Sequence, residues 1–380
     1  MQKQINRYYN FMSMKKFLSS AIFAFALLLF VGCDNFSKED RFKVTGDVRP
    51  AWFDYYPEGG EPEFSVKTDA IRLHFYGWGL EEDSLVKVTF PESTDGYRKA
   101  ILTYRMGGWN QGPAAWDMTT QICFKSNKTG EVMELQRCFT PYGGSFGPAW
   151  QKIYYMDITE YLPYLTGETE LYIYYCGWDA TDERAHTATL TFDFFEGTPE
   201  KRTIYHETLY SSRATGTTGY RSWCYGVEGY DIEAEERLGI RTVTLPEEVK
   251  SIMMRVAISG HGHDPGDFPD RTNYRKNNAA EFVKNYYSII INGEKKAQGT
   301  IWYDNSTTYA QVGTYKYNRA NWGPGLPLNT QWWTIENLPR ADKDFTIDFD
   351  LDRFISTKTE PNADGVAQYI VWVDIFGYDK

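Results

Sequence analysis

Residues 123–138 read C-F-K-S-N-K-T-G-E-V-M-E-L-Q-R-C. The flanking runs, Thr120–Lys125 and Glu131–Thr140, are short and carry no helical periodicity. Between them lies a cluster of turn residues, so the stretch reads as a β-hairpin centred near Thr129-Gly130. The same style recurs outward in both directions. Ala100–Arg105, Glu170–Cys176 and Ala188–Phe195 are rich in Val, Ile, Tyr and Phe and bounded by Gly, Pro, Asn or Asp. Ile240–Leu245, Ser251–Ile258, Tyr286–Asn292, Phe345–Leu351 and Gln368–Phe376 repeat the pattern. The fold class is therefore all-β.

Two β domains are expected, because roughly 340 residues past the leader exceed one comfortable sandwich. E-G-T-P-E-K-R, Glu196 to Arg202, is turn-rich and lies between strand-like runs, which places the boundary there. Residues 33–70 form a tether and N-terminal extension, in which P-E-G-G-E-P-E reads as loop.

The first 32 residues are read as an export signal. Met14-Lys15-Lys16 supplies a basic start, Phe17 to Val31 an apolar run, and Gly32-Cys33 the cleavage context. The run is short for a membrane span. F-V-G-C resembles a bacterial lipobox, in which Cys33 is acylated and becomes the mature N-terminus. Asp34, Asn35, Lys38, Glu39 and Asp40 follow, similar to the surface-export tag of Bacteroidetes lipoproteins. An outer-membrane lipoprotein exposed at the cell surface is the expectation, with periplasm-facing placement as the alternative.

The formal charge is −11, and loss of Lys3, Arg7, Lys15 and Lys16 with the signal makes it −15. Such a balance disfavours nucleic acid and anionic headgroups as partners. Aromatics are 17% of residues. In an exported protein that serves either carbohydrate stacking or simply a β core. Past Cys33, the cysteines are Cys123, Cys138, Cys176 and Cys224, which allow three pairings in an oxidising location. Cys123 and Cys138 flank the hairpin and can lie opposite each other, if the demanding cross-strand geometry is met. No pair has C-x-x-C form and the spacing does not point to zinc.

Ordered motifs carry a resemblance. W-D at 116–117, K-T-G-E at 128–131, F-T-P-Y at 139–142, E-L-Y-I-Y at 170–174, Trp178 and F-E-G-T-P at 195–199 resemble the first domain of the peptide-N-glycosidase F family. I-S-G-H-G-H (258–263), A-A-E-F (279–282), I-I-I-N (289–292) and N-R-A-N-W-G-P-G (318–325) resemble its second. The resemblance implies two eight-stranded antiparallel jelly rolls packed side by side, residues 71–199 and 200–380, with a site at their interface. It also implies metal-free and cofactor-free amide hydrolysis between the first GlcNAc of an N-glycan and its asparagine, by a monomer acting on glycoproteins or glycopeptides.

Such hydrolysis needs an activated water and a proton for the leaving nitrogen, which carboxylates in a water-poor cleft can supply. Asp117, between Trp116 and Met118, matches the family's essential aspartate and is the expected water-activating group. Without the flanking match it would read as an ordinary strand-start Asp. Glu281 matches the second acid; its plain reading is a solvated glutamate beside Lys284. Arg319 is expected to bond a sugar hydroxyl or the Asn carbonyl, and Trp322, Trp178 and Trp116 to line or stack on substrate. A surface ion pair and a core aromatic are the plain alternatives for Arg319 and Trp322. His263 matches a family histidine and His261 stands where the family has tryptophan.

Two departures stand out. Where the family has a third acid, two positions before the tryptophan of the Trp178 segment, this sequence has Cys176; where it has arginine after the aspartate, Met118. Asp179, Asp182 and Glu183 are the candidate replacement acids. The competing functions are a non-catalytic glycan-binding lipoprotein, whose Asp117 and Glu281 would point apart or into solvent, and a copper oxygenase. The latter would use H-x-H at 261–263 with His74, His186 or His206, which form no evident cluster in the sequence.

Overall fold

The computed structural model describes residues 42–47, 49–74, 84–212, 238–262, 280–304, 310–338, 344–352 and 367–380. Cys33, Cys224 and His263 lie outside the described residues. Lys43–Lys380 forms one compact unit.

The fold is all-β. Two strands come from the extension, β1 (Lys43–Asp47) and β2 (Phe64–Lys67). The first sandwich follows with β3 (Ile71–Arg72), β4 (Ser84–Thr89), β5 (Tyr97–Gly108), β6 (Thr119–Lys125), β7 (Val132–Phe139), β8 (Gln151–Asp157), β9 (Glu168–Tyr175) and β10 (His186–Glu196). The second has β11 (Thr203–Tyr210), β12 (Arg241–Val243), β13 (Ser251–His261), β14 (Asn285–Ile291), β15 (Glu294–Ile301), β16 (Gln331–Glu336), β17 (Phe345–Leu351) and β18 (Gln368–Tyr378). The turn-rich stretch 196–202 separates β10 from β11. Sheets β2-β10-β5-β8, with β3 also on β10, and β4-β9-β6-β7 make the first sandwich. Sheets β1-β16-β13-β18-β11 and β12-β17-β14-β15 make the second. All these pairings are antiparallel.

Period-two alternation builds the first core. Ala188, Leu190, Phe192 and Phe194 of β10 and Leu102, Tyr104 and Met106 of β5 point inward. They meet Ile122 and Phe124 of β6 and Leu171 and Ile173 of β9 from the facing sheet. Each of these Leu, Ile, Phe and Met side chains contributes about 1.5–3 kcal/mol by leaving water. In the second sandwich, Tyr287 of β14 packs on Phe349 of β17 at 4.7 Å and edge-on to Trp333 of β16 at 6.4 Å.

The outer face of β4-β9-β6-β7 is covered too. Cys123, Phe139 and Tyr174 join Ala257 of β13 and Ile370 and Trp372 of β18 in one cluster that spans the seam. That is why β6 is buried on both faces from Thr119 to Phe124. Polar residues of the hairpin therefore meet protein instead of water. Glu134 accepts from Arg137 Nη2 at 2.8 Å and from Arg255 Nη2 at 3.2 Å. Arg255 Nη1 donates to Asp374 at 3.1 Å, and Asp374 also bonds His206 Nε2 at 3.2 Å. All these side chains are buried.

Cys123 and Cys138 do not face each other, which corrects the pairing considered from the sequence. Cys123 lies opposite Glu134 and Cys138 opposite Thr120, with a register shift after Ile122. Their side chains consequently divide between the seam and the sandwich core. Cys138 and Cys176 are buried free thiols, and Cys123 is buried as well.

The extension is more than a tether. β1 adds an edge to the second sandwich on β16, and β2 an edge to the first on β10. Between them Arg49 lies over the Trp332 ring at 4.2 Å, pairs with Glu160 of the first sandwich and donates to Met253 Sδ at 2.7 Å in the second. Replacing Arg49 with alanine removes a cation–π contact and leaves buried Glu160 short of a partner. The expected loss is about 1–3 kcal/mol of stability, read as a lower midpoint in calorimetry.

Candidate active site

Asp117 is two residues ahead of β6 and is fixed by its neighbours' backbone. The Trp116 amide donates to Asp179 Oδ2 at 2.8 Å, the Thr140 hydroxyl donates to Trp116 O at 3.2 Å, and the Met118 amide donates to that hydroxyl at 2.8 Å. Glu281 is held from the other sandwich. Its carbonyl accepts the Ala320 amide at 2.9 Å, and the Ala320 carbonyl accepts the Gly260 amide at 3.1 Å. Gly260 has to be glycine, since a Cβ there would stand 2.6 Å from Ala320 Cβ and 2.8 Å from Ala280 O. Small residues thus let the Glu281 and Arg319 segments lie against the end of β13.

The two acids meet on one guanidinium. Arg319 Nε donates to Glu281 Oε1 at 3.1 Å, and Nη2 to Asp117 Oδ2 at 3.3 Å. The remaining donors go to Thr314 O and Tyr317 O from Nη1, and to Tyr142 Oη and Thr314 Oγ1 from Nη2. Phe282 and Trp322 flank its plane at 4.9 and 4.8 Å. Arg319 is fully buried while the Asp117 and Glu281 side chains keep 10% and 12% of their surface. The arginine is a bridge whose donors are all engaged within the protein, so the expectation that it bonds substrate is not met by this geometry.

Burial raises Asp117 to about 7. The Arg319 charge opposes that rise, Glu281 adds to it by like-charge repulsion, and Tyr142 opposes it by hydrogen bonding. Arg319 itself is raised: burial pulls it down, but Asp117, Glu281 and Tyr142 outweigh that pull. The result is a carboxyl group poised to exchange a proton near neutral pH beside a second carboxylate and a fixed cation.

The aromatic residues divide. Trp116 and Trp178 are 48% and 57% exposed, with ring centres 6.2 Å apart, and Trp116 meets Tyr142 edge-on at 6.0 Å. They form an open aromatic surface next to Asp117. Trp322 is buried, stacked on Phe139 at 4.4 Å and bonded from Nε1 to Gly260 O. His261 is buried with it, 5.3 Å away, its Nε2 2.8 Å from Ser259 Oγ. Burial, then the Arg137 and Arg319 charges, keep His261 neutral by pulling it well below the usual range. Both residues support the floor of the site and neither reaches its surface, contrary to expectation. Apolar packing across the seam takes them inside.

Of the replacement acids, Asp179 holds the Trp116 amide, and burial raises its carboxyl despite the Trp116 and Ala115 amides. Asp182 projects into solvent on Arg72, and Glu183 is exposed on Gln111. Met118 and Cys176 are both buried in the first sandwich. The Cys176 thiol accepts from the Thr119 amide, and burial pushes it to about 11.

Sequence alone does not mark Tyr142: its motif, F-T-P-Y, is visible, but one tyrosine among 29 reads as core. Gly313, at φ +81°, lies so close that a Cβ would touch the Tyr142 ring at 2.7 Å. This contact brings Thr314 and Arg319 onto the tyrosine hydroxyl. Among the described residues, no three His, Cys, Asp or Glu side chains gather as a metal-holding group. His186 bonds Tyr175 and His206 bonds Asp374, in separate surroundings.

No protein-family model matches the chain. Peptide-N(4)-(N-acetyl-beta-D-glucosaminyl)asparagine amidase F of Elizabethkingia miricola is 25% identical over 337 residues, 85% of this chain and 86% of that protein. The solved structure of PNGase F, a glycosylasparaginase from Flavobacterium meningosepticum, superposes with a TM-score of 0.63 at 22% identity, covering 83% of this chain and 95% of that one. PNGF-II, in a C2 crystal form, gives 0.58 at 16%, covering 83% of this chain and 64% of that one. Two comparisons of different kinds thus converge over nearly the same length of chain.

Proposed function

Taking homology to peptide-N-glycosidase F in sequence and fold as the premise, we propose that this protein is an amidase that cleaves the bond between the first GlcNAc of an N-glycan and its asparagine, leaving aspartate. The observation that carries the reading is the bridge itself. Asp117 from one sandwich and Glu281 from the other converge on buried Arg319 beside exposed Trp116 and Trp178. A surface that only bound glycans would have no need of two nearly buried carboxylates, one with its titration near neutrality.

In this reading, ionised Asp117 removes a proton from water as the water attacks the amide carbonyl, and returns it to the departing glycosylamine nitrogen. A group that titrates near 7 serves both steps. Arg319 holds both acids and disperses the charge left when Asp117 is ionised. Glu281 orients the water or the amide. Sugar rings stack on Trp116 and Trp178. With Met118 and Cys176 in the core, recognition of the inner sugars falls to those faces and to neutral donors. Attachment to the outer membrane through Cys33, surface exposure and a monomeric state belong to the same proposal and rest on the sequence motifs.

The test is incubation of the purified protein with a denatured N-glycoprotein, followed by mass spectrometry of the acceptor site. Conversion of asparagine to aspartate with release of intact glycan is the expected result. Glycopeptide capture without conversion, over high-mannose, complex and fucosylated glycans, would instead establish a binding protein.

A further inference from the structure

Three loops carry the first sandwich's share of the site: 109–117 with Trp116 and Asp117, 140–147 with Tyr142, and 176–185 with Trp178 and Asp179. None of them is a strand, yet their side chains must be held to a fraction of an ångström to work as a unit. One residue ties all three. From the third loop, Arg184 Nε donates to Pro113 O at 3.0 Å and Nη1 to Gln111 O at 3.0 Å. Its Nη2 reaches the other loop, donating to Gly143 O at 3.0 Å and Phe146 O at 2.9 Å, with Gly144 O at 3.4 Å. No carboxylate pairs with it at salt-bridge distance among the described residues; its charge is distributed over five carbonyl oxygens.

The backbone around it is shaped to admit the guanidinium. The Ala185 amide donates to Gly112 O at 3.2 Å, the Gln111 amide to Glu183 O at 2.9 Å, and the Trp109 amide to Ala185 O at 3.0 Å. The Arg184 amide donates to Thr181 Oγ1 at 3.0 Å, which closes its own turn. Gly112, at φ +134°, would place a Cβ 2.4 Å from Phe146 O and 3.0 Å from Arg184 Nη2. A Cβ on Gly143 would stand 2.4 Å from Ala114 O. Both glycines are therefore required by close approach around Arg184.

We propose that Arg184 is a positioning residue for the reaction, the hub that holds the Asp117, Tyr142 and Trp178 loops in register. The role in catalysis rests on the function proposed above, but the hub is testable without turnover. The groups that bear on Asp117 are Arg319 and Glu281 from the second sandwich and Tyr142 and Cys176 from the first. Its elevation depends chiefly on burial, and burial depends on the loops staying closed.

The experiment is the carboxyl titration of Asp117 by carbon-13 NMR in the parent, Arg184→Ala and Arg184→Lys. Loosened loops admit water, so the midpoint in Arg184→Ala is expected to fall by about one pH unit, with Arg184→Lys between. Loss of a nearby positive charge alone would move it upward. A rise, or no change in a folded variant, overturns the proposal. If Arg184→Ala does not fold, Arg184→Lys is read by the same criterion, since one ammonium cannot hold three loops together. Conversion of glycopeptide is expected to fall about tenfold in step with the titration. A parent protein that never converts glycopeptide would defeat the amidase reading while leaving the titration result standing.

Discussion

Under the amidase reading, replacing Asp117 with asparagine is expected to lower glycopeptide conversion by about 10³-fold while leaving the protein folded, because amide cleavage would then lack its proton acceptor. The pH profile of the parent carries the more specific expectation. kcat/KM should rise through a limb near the Asp117 midpoint of about 7, since the ionised form does the work. Glu281→Gln removes a neighbouring negative charge that contributes to this elevation, so the limb of its residual activity should move to lower pH. A limb that stays in place would remove Asp117 from the proton-transfer role.

Asp117→Asn has an opposite effect on stability. A carboxyl raised above its unfolded value favours the folded state fully only below the unfolded value near 3.9, and that advantage disappears as pH rises toward about 7. Asp117→Asn should thus be more stable than the parent at pH 8, by on the order of 4 kcal/mol, with the gap closing toward pH 4. Thermal unfolding of the two proteins across that range measures it. Such an exchange of stability for a desolvated carboxylate is expected at a catalytic site and not at a structural one.

The second large effect lies in the seam. Glu134→Ala leaves Arg137 and Arg255 buried without the carboxylate that accepts from both. A loss of about 3–5 kcal/mol is expected, since a buried charge without its partner keeps its desolvation penalty. The double variant Glu134→Ala, Arg255→Ala should lose less than the sum of its parts, which chemical denaturation can measure. Asp374 gives the pH signature. Burial alone would raise it, but His206, Arg255 and Thr208 hold it below its ordinary value. Its contribution is complete above about pH 4 and is lost as pH falls through the depressed value, so the parent should unfold cooperatively in acid. Because Asp117 and Glu281 belong to different sandwiches, Glu134→Ala should also reduce conversion of glycopeptide by more than its folded fraction accounts for.

The hairpin at 123–138 was legible because turn chemistry and strand composition are local properties, and the remaining predicted strands follow the same rule. The strand pattern of Ser251–Ile258 stops three residues short of β13, since Ser259, Gly260 and His261 look like loop in isolation. The extension was less legible. Lys43–Asp47 carries charge and little apolar residue, and it becomes a strand because β16 offers it a free edge. At the site, Asp117, Glu281 and Arg319 could be named from their motifs, but not the fact that one guanidinium joins the two acids. Trp322 and His261 carry the residue types of a sugar site, yet they are buried by neighbours more than a hundred residues away, Phe139 among them.

The sequence by itself determined the β class and the hairpin at 123–138, because both follow from short-range pattern, whereas Asp117, Glu281 and Arg319 were named through resemblance to a family. Only the tertiary structure decided which side of each strand is inside. Strict period-two alternation in M-E-L-Q-R would set Glu134 and Arg137 on opposite faces, but the register shift beside Cys123 brings both to the outer face of the sheet. The second sandwich covers that face, and Arg255 and Asp374 arrive to complete its charges. Desolvation is a property of what packs against a residue. It raises Asp117, removes Trp322 from the surface and leaves Trp178 open to solvent, and no local pattern encodes it.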